Sequence, residues 1–262
     1  MPKEAFGGDE GGGGNEDKKK PGLSKFGLTP DVNIRDVFWK IMDSYAATKK
    51  PGLELSSLEH DRFALMRVAL SVLSSQHGEY YGIAPKFVVT YTIMMMIDAG
   101  WKDAFIEFLE KAHESRGNVV DSISLSLKDL LMQEEYKKIL MEHFIGMVRS
   151  RHTNTVALAY IAQINNVELA ASMKKELIIL ARGDIGQNQL NAIKIISEMK
   201  TDEEVKKSLI ILLSHWDAEA RLAAANALNE VSGDNEVRNA AKKRFEMETD
   251  PEVKKILGMI AK

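Results

Sequence analysis

The sequence predicts an all-α protein whose C-terminal part is a solenoid of short antiparallel helix pairs. Three observations predict it. Helix-spaced apolar stripes run almost without interruption from Asp31 to Lys262, and strand-like alternation is nearly absent. Breakers recur at Pro51-Gly52, Gly78, Gly82, Gly100 and Gly117-Asn118, leaving connections short enough for successive helices to pack antiparallel. A start motif, D-x-E-V-[K/R] or a near copy, recurs at Asp202, Asp217, Asp234 and Asp250, with room in each interval for one helix and one tight turn.

The chain divides into three stretches: 1–30, 31–150 and 151–262. The first holds Gly7, Gly8 and Gly11 to Gly14, with acids mainly in Glu4 to Asp17 followed by Lys18-Lys19-Lys20. Such a segment buries too little apolar surface to offset the entropy of ordering it, and the composition predicts a disordered tail. Its glycines and lysines lack the GxxxxGK[ST] spacing and the strand–helix flanks of a phosphate loop.

In the middle stretch the apolar spacing predicts helices at Val32–Ala47, Leu55–Ser75, Pro85–Ala99, Lys102–Ser115, Asp121–Met132 and Glu134–Arg149. Phe87 to Ile97 is one apolar segment, too long for an ordinary strand, and reads as a buried helix. Its consecutive Met94, Met95 and Met96 read as gap-filling core.

The third stretch repeats. Asp184, Asp217 and Asp250 are evenly spaced, and Met173 to Leu180 matches Val205 to Leu212 one repeat later. An Asp at N-cap accepts from the free amides of the first turn, and a Glu two positions later lies against the positive end of the helix dipole. Pro251 stands at the first helical position, where its missing N–H costs nothing. The inward stripes are Ala220, Ala223, Ala224, Ala227, Leu228 and Val231, then Val237, Ala240, Ala241 and Phe245, then Val253, Ile256, Leu257 and Ile260. An upstream partner helix is expected at Thr155 to Ile164. Asp217 to Val231 resembles the first helix of a HEAT-like repeat, and Gly233 to Phe245 its second. The resemblance is strongest over 153–262. It implies a right-handed superhelical α-solenoid with a concave binding face lined by the second helices, and no single function.

Composition narrows the function further. The net charge of −3 gives no global reason to expect a nucleic acid or an anionic membrane as partner. The absence of cysteine removes disulfides, thiolate nucleophiles and Cys-ligated zinc, and fits a cytoplasmic protein. No apolar run approaches the roughly 20 residues of a membrane span. The histidines form no HExxH or i, i+4 pair, and the single His113-Glu114 does not supply the several His-Glu pairs of the di-iron HEAT proteins. Trp39, Trp101 and Trp216, with Asp103 and Asp217 nearby, invite comparison with the HEAT-like DNA glycosylases. Asp217 already serves as a cap, however, and Trp216 at a helix end is expected to cover the core. No catalytic residue, metal ligand or cofactor is predicted.

What remains is a ladder of bases on the second helices: Lys174, Lys175, Lys206, Lys207, Arg238, Lys242 and Lys243. From Arg151 onward basic and acidic residues are equal in number, so the ladder reflects segregation of sign and not excess. The bland reading balances the acids at helix starts. The sharp reading is a docking stripe. The function expected is a non-enzymatic protein-interaction scaffold, with a nucleic-acid-binding or DNA-repair solenoid as the alternative.

Overall fold

The computed structural model describes residues 33–74, 85–115 and 119–262, and every element within them is helical. The expectation for residues 1–30 and the breaks at Gly78, Gly82 and Gly117-Asn118 lie outside the described residues.

The N-terminal helices are α1 (Ile34–Thr48), α2 (Arg62–Ser74), α3 (Pro85–Asp98), α4 (Lys102–Glu114), α5 (Val119–Leu131) and α6 (Glu134–Arg149). Asn33 caps α1 by accepting from the Arg35 N–H. The helix expected over Leu55–Ser75 is divided: Leu55–Asp61 is 3₁₀ and α2 begins at Arg62. Glu54 explains the division, because the Ser57 hydroxyl bonds to its carbonyl and the Ser56 hydroxyl to its carboxylate, which holds this turn out of α geometry. Helix α3 is buried almost all round from Val88 to Ile97, including Met94, Met95 and Met96. It ends at Gly100, whose φ of +70° lets the chain reverse into α4 with the Trp101 N–H returning to the Met96 carbonyl.

The C-terminal helices are α7 (Asn154–Ile164), α8 (Val167–Ser172), α9 (Lys174–Gly183), α10 (Gly186–Ser197), α11 (Glu203–Leu212), α12 (Ala218–Asn229), α13 (Asn235–Met247) and α14 (Pro251–Ile260). Asp202, Asp217, Asp234 and Asp250 cap α11, α12, α13 and α14, each through its side-chain oxygen. Asp184 does not follow them. It accepts from the Ile185 N–H, and α10 starts beyond Ile185 at Gly186, whose φ is +62°. The short α8, capped by Asn166, was not anticipated; it fits between α7 and α9 because Asn165 turns the chain in the left-handed region.

Two layers result. Helices α3, α5, α7, α10, α12 and α14 stack successively in close contact, whereas α9, α11 and α13 touch one another at few places. The tightest hairpins are α9 with α10, α11 with α12 and α13 with α14. The repeat boundary is therefore shifted by one helix from the pairing that the resemblance implied, since α12 packs on α11 and barely on α13. Alanines permit the close layer: Ala220, Ala224, Ala225 and Ala227 of α12 are buried between α10, α11 and α14. Phe245 departs from its expected inward position. It is partly exposed, its ring over Gly258 and beneath the Lys254 ammonium.

Candidate functional site

Helices α5, α7, α10, α12 and α14 form the closely stacked layer, and the ladder helices α9, α11 and α13 form the other.

The ladder residues separate into two groups. Lys174 reaches the Asp202 carboxylate at 2.9 Å, and Lys206 reaches that of Asp234 at 2.7 Å. Both acids are also helix caps, and the ammonium beside each holds it below the usual carboxylate range, together with backbone N–H groups of the first turn. Arg238 is half-buried and donates to the Ser232 carbonyl. Lys175, Lys207, Lys242 and Lys243 are exposed and have no ion pair among the described residues.

The two paired lysines belong to a longer series. Lys137–Glu168, Arg149–Glu176, Lys174–Asp202, Lys200–Glu230, Lys206–Asp234 and Arg221–Glu248 are ion pairs between positions nearly one repeat apart in sequence, with the base always preceding the acid. Each couples one repeat to the next. Most are partly exposed and individually worth little. Arg221–Glu248 is the buried member. The guanidinium holds both Glu248 carboxylate oxygens at 2.9 Å and donates to the His215 and Trp216 carbonyls. Burial pushes the Glu248 carboxyl up, but Arg221, the Asp250 N–H and Arg244 outweigh it and take the pKa down to about 2. One repeat earlier, Gln189 occupies the position of Arg221 and its amide reaches the Ala181 carbonyl and the His215 ring.

Trp216 does not cover the core. Its backbone is clamped by Arg221 while its side chain is 75% exposed. Trp39 and Trp101 are buried, and Asp103 is held bidentately by Arg62.

A groove of about 470 Å³ crosses α5, α7 and α10, three successive helices of the close layer. Asp121, Ser124, Leu125 and Lys128 line it from α5, Gln163 and Asn165 from α7 and its C-cap, and Lys194 from α10. Leu125 is exposed. Lys128 and Lys194 lie in the last turns of α5 and α10, where the negative helix ends favour cations, and neither has an ion pair among the described residues. The Ser124 hydroxyl donates to the Gln163 side-chain oxygen, so that amide's N–H₂ is not used in this bond. Sequence reading missed this groove because its residues come from three helices with no shared motif.

A second groove, of about 310 Å³, is lined by Phe87, Tyr91, Tyr136 and Lys49 among others. Tyr45, Tyr91 and Phe87 stack in series, and the Tyr45 hydroxyl donates to Asp98 at 2.6 Å. Partial burial raises the Asp98 carboxyl above its usual range although that hydrogen bond pulls it down; burial also raises the Tyr45 hydroxyl. Lys49 bonds to the Tyr91 hydroxyl and Lys86 to Asp129, so the polar groups here are largely satisfied by one another. Among the described residues no group of three His, Asp or Glu could hold a metal ion, and no helix is long and apolar enough to cross a membrane.

No family model and no curated protein matches the chain. Among solved structures, it resembles a designed armadillo repeat protein in complex with the peptide (KR)4, with TM-score 0.45 and 14% identity over 88% of this chain and 98% of that one. An engineered protein gives TM-score 0.42 and 17% identity over 87% of this chain and 95% of that one. At these values neither likeness carries an argument about what this chain binds.

Proposed function

We propose that this chain is a non-enzymatic protein-interaction scaffold: a cytoplasmic, HEAT-like solenoid that seats a partner segment on its concave side. The observation that supports this most is the groove across α5, α7 and α10. It spans three successive helices of the close layer. It offers an exposed leucine, an amide that can read a peptide backbone, and two cations without ion pairs among the described residues. Apolar anchoring and directional hydrogen bonds together suit an extended or helical protein segment better than a uniform phosphate backbone. The inter-repeat ion pairs serve the same end, because they fix the relative positions of repeats that a bound segment would span.

The test is affinity purification of the full chain with mass spectrometry, with and without nuclease. A protein partner should survive nuclease and be lost from a Leu125→Glu/Lys194→Glu variant whose helicity is unchanged. Partners released by nuclease, with salt-sensitive binding of DNA or RNA by the purified chain, would support the nucleic-acid alternative instead.

A further inference from the structure

The turns of the three tight hairpins carry large apolar side chains that the core does not use. Ile185 stands in the α9–α10 turn, Trp216 in the α11–α12 turn, and Met247 is the last residue of α13 before the α13–α14 turn. The three are evenly spaced in the sequence. They are 67%, 75% and 58% exposed. Ile179 and Ile211 are exposed too, but within α9 and α11 and not at the turns.

Hydrogen bonds join the three turns side by side. The Gln189 amide nitrogen, one turn of α10 beyond Ile185, lies 3.2 Å from the His215 ring next to Trp216. Arg221 donates to the Trp216 carbonyl and holds the carboxylate of Glu248, the neighbour of Met247. These links run through the close layer, where α10, α12 and α14 pack on one another.

Trp216 is fixed as well as exposed. The His215 and Trp216 carbonyls both accept from the buried Arg221, the Asp217 N–H donates to the His215 ring, and that ring lies 5.3 Å from the indole. A side chain whose backbone is held before binding loses less freedom on binding, and tryptophan is enriched at binding hot spots.

The charges at the middle of the row are acidic. Asp217 and Glu219 follow Trp216, and neither has an ion pair among the described residues. Two carboxylates exceed the roughly half charge of the α12 N-terminus. Arg221 is buried against Glu248, and Lys254 of the next turn is directed to the Glu248 carbonyl and the Phe245 ring. The ends of the row are mixed. Arg182 and Asp184 precede Ile185, and Glu246 beside Met247 has Lys242 and Lys243 one turn behind it.

We infer that this row of turns docks a basic segment of a partner protein, with a Lys or Arg side chain over the Trp216 indole and apolar side chains on Ile185 and Met247. The indole face attracts a cation, and Asp217 and Glu219 beside it add to the attraction. At the ends the charges offset one another, and the exposed apolar side chains make the contact. An anionic membrane or a phosphate backbone would meet the acids at the centre of the row. A second copy apposed by the same surface would oppose like acids. The groove around Leu125 meets α10 at Lys194 in its last turn, whereas the row meets it before its first, so the two surfaces can be tested apart.

The experiment selects peptides from a displayed random library on the full chain, with counter-selection on Trp216→Ala, and titrates the recovered peptides, labelled, by anisotropy. Trp216 is exposed, so circular dichroism of Trp216→Ala should show unchanged helicity. The recovered peptides should carry lysine or arginine between apolar residues. Replacing those bases by glutamate should weaken binding at least about tenfold. Trp216→Phe should retain part of the binding because an aromatic face remains, and Ile185→Ser/Met247→Ser should weaken it. Trp39 and Trp101 are buried, so acrylamide quenching reports Trp216, and a bound peptide should shield it. Leu125→Glu/Lys194→Glu should bind the peptides as the parent chain does. Recovery of no peptide, of acidic peptides, or of apolar peptides without a base would overturn the inference. So would loss of binding in Leu125→Glu/Lys194→Glu, self-association of the chain that Trp216→Ala abolishes, or shielding of Trp216 by phosphatidylserine vesicles or duplex DNA.

Discussion

The stretch α1–α6 and the stretch α7–α14 are both stacked helices, but they are held together differently. In the first, bulk does the filling: Phe38, Tyr45, Trp101, Phe105, Phe108 and Phe144 are fully buried among the three methionines of α3. In the second, alanine, leucine and isoleucine fill most of the core, and Tyr160 is the large aromatic fully buried among the described residues. The inter-repeat ion pairs begin at Lys137 and continue to Glu248, so they belong mainly to this second stretch. Large side chains fill an irregular core by volume. Small ones let backbones approach, and a regular approach lets the same polar link recur from repeat to repeat. The first stretch should accordingly be sensitive to lost volume, and the second to added volume, charge and pH.

Loss of volume tests this contrast most severely. Phe108→Ala should cost about 3–5 kcal/mol, read by chemical denaturation, and should melt the N-terminal helices first. An unchanged midpoint would break the comparison, because it would mean that α4 is not packed by bulk.

Opening the buried pair comes next. Glu248→Ala leaves Arg221 buried and unpaired and should cost about 3–5 kcal/mol, with hydrogen exchange rising in α12 to α14. The pH dependence sharpens the same point. The folded pKa of Glu248, about 2, lies below its ordinary value, so its contribution is present above about pH 4.5 and is lost as pH falls toward 2. Asp98 is shifted the other way. Its ionisation opposes folding as pH rises above the ordinary Asp range of about 4, and acid relieves that cost. Acid should therefore loosen α12–α14 before α1–α6, and Glu248→Gln should remove most of that difference.

Overpacking is smaller. Ala224→Leu, in the close layer between α10 and α14, should destabilise by about 1–3 kcal/mol, measured by thermal melting. A neutral result would show that the layer has slack. Smallest of the four, Asp217→Ala removes one cap and should cost about 1 kcal/mol. The same substitution at Asp184 should cost less, since Asp184 reaches only the Ile185 N–H.

The contrast between Asp184 and Asp217 shows where sequence reading ends. Both stand in one evenly spaced series, yet only Asp217 has the residues beyond it that start a helix at once; Ile185 and Gly186 delay α10. Ile179 and Ile211 carried a usable signal. The consecutive apolar runs Leu177 to Leu180 and Leu209 to Leu212 cannot face one side of a helix throughout, so one residue in each must point outward. Trp216 carried none, because its exposure depends on Arg221 holding the loop backbone from the next helix.

By itself the sequence determined the helical class, the caps at Asp202, Asp217, Asp234 and Asp250, and the small-residue stripe of α12. Each of these depends on residues within a few turns of one another, where 3.6-residue periodicity and cap chemistry act directly. The tertiary structure alone decided which layer of helices is closely stacked. It also decided which lysines are consumed in ion pairs and which three helices meet at the groove around Leu125. Those outcomes depend on side chains from successive repeats, such as Lys174 with Asp202 and Lys206 with Asp234, meeting across a packed interface. At that separation along the chain a local pattern carries no direction.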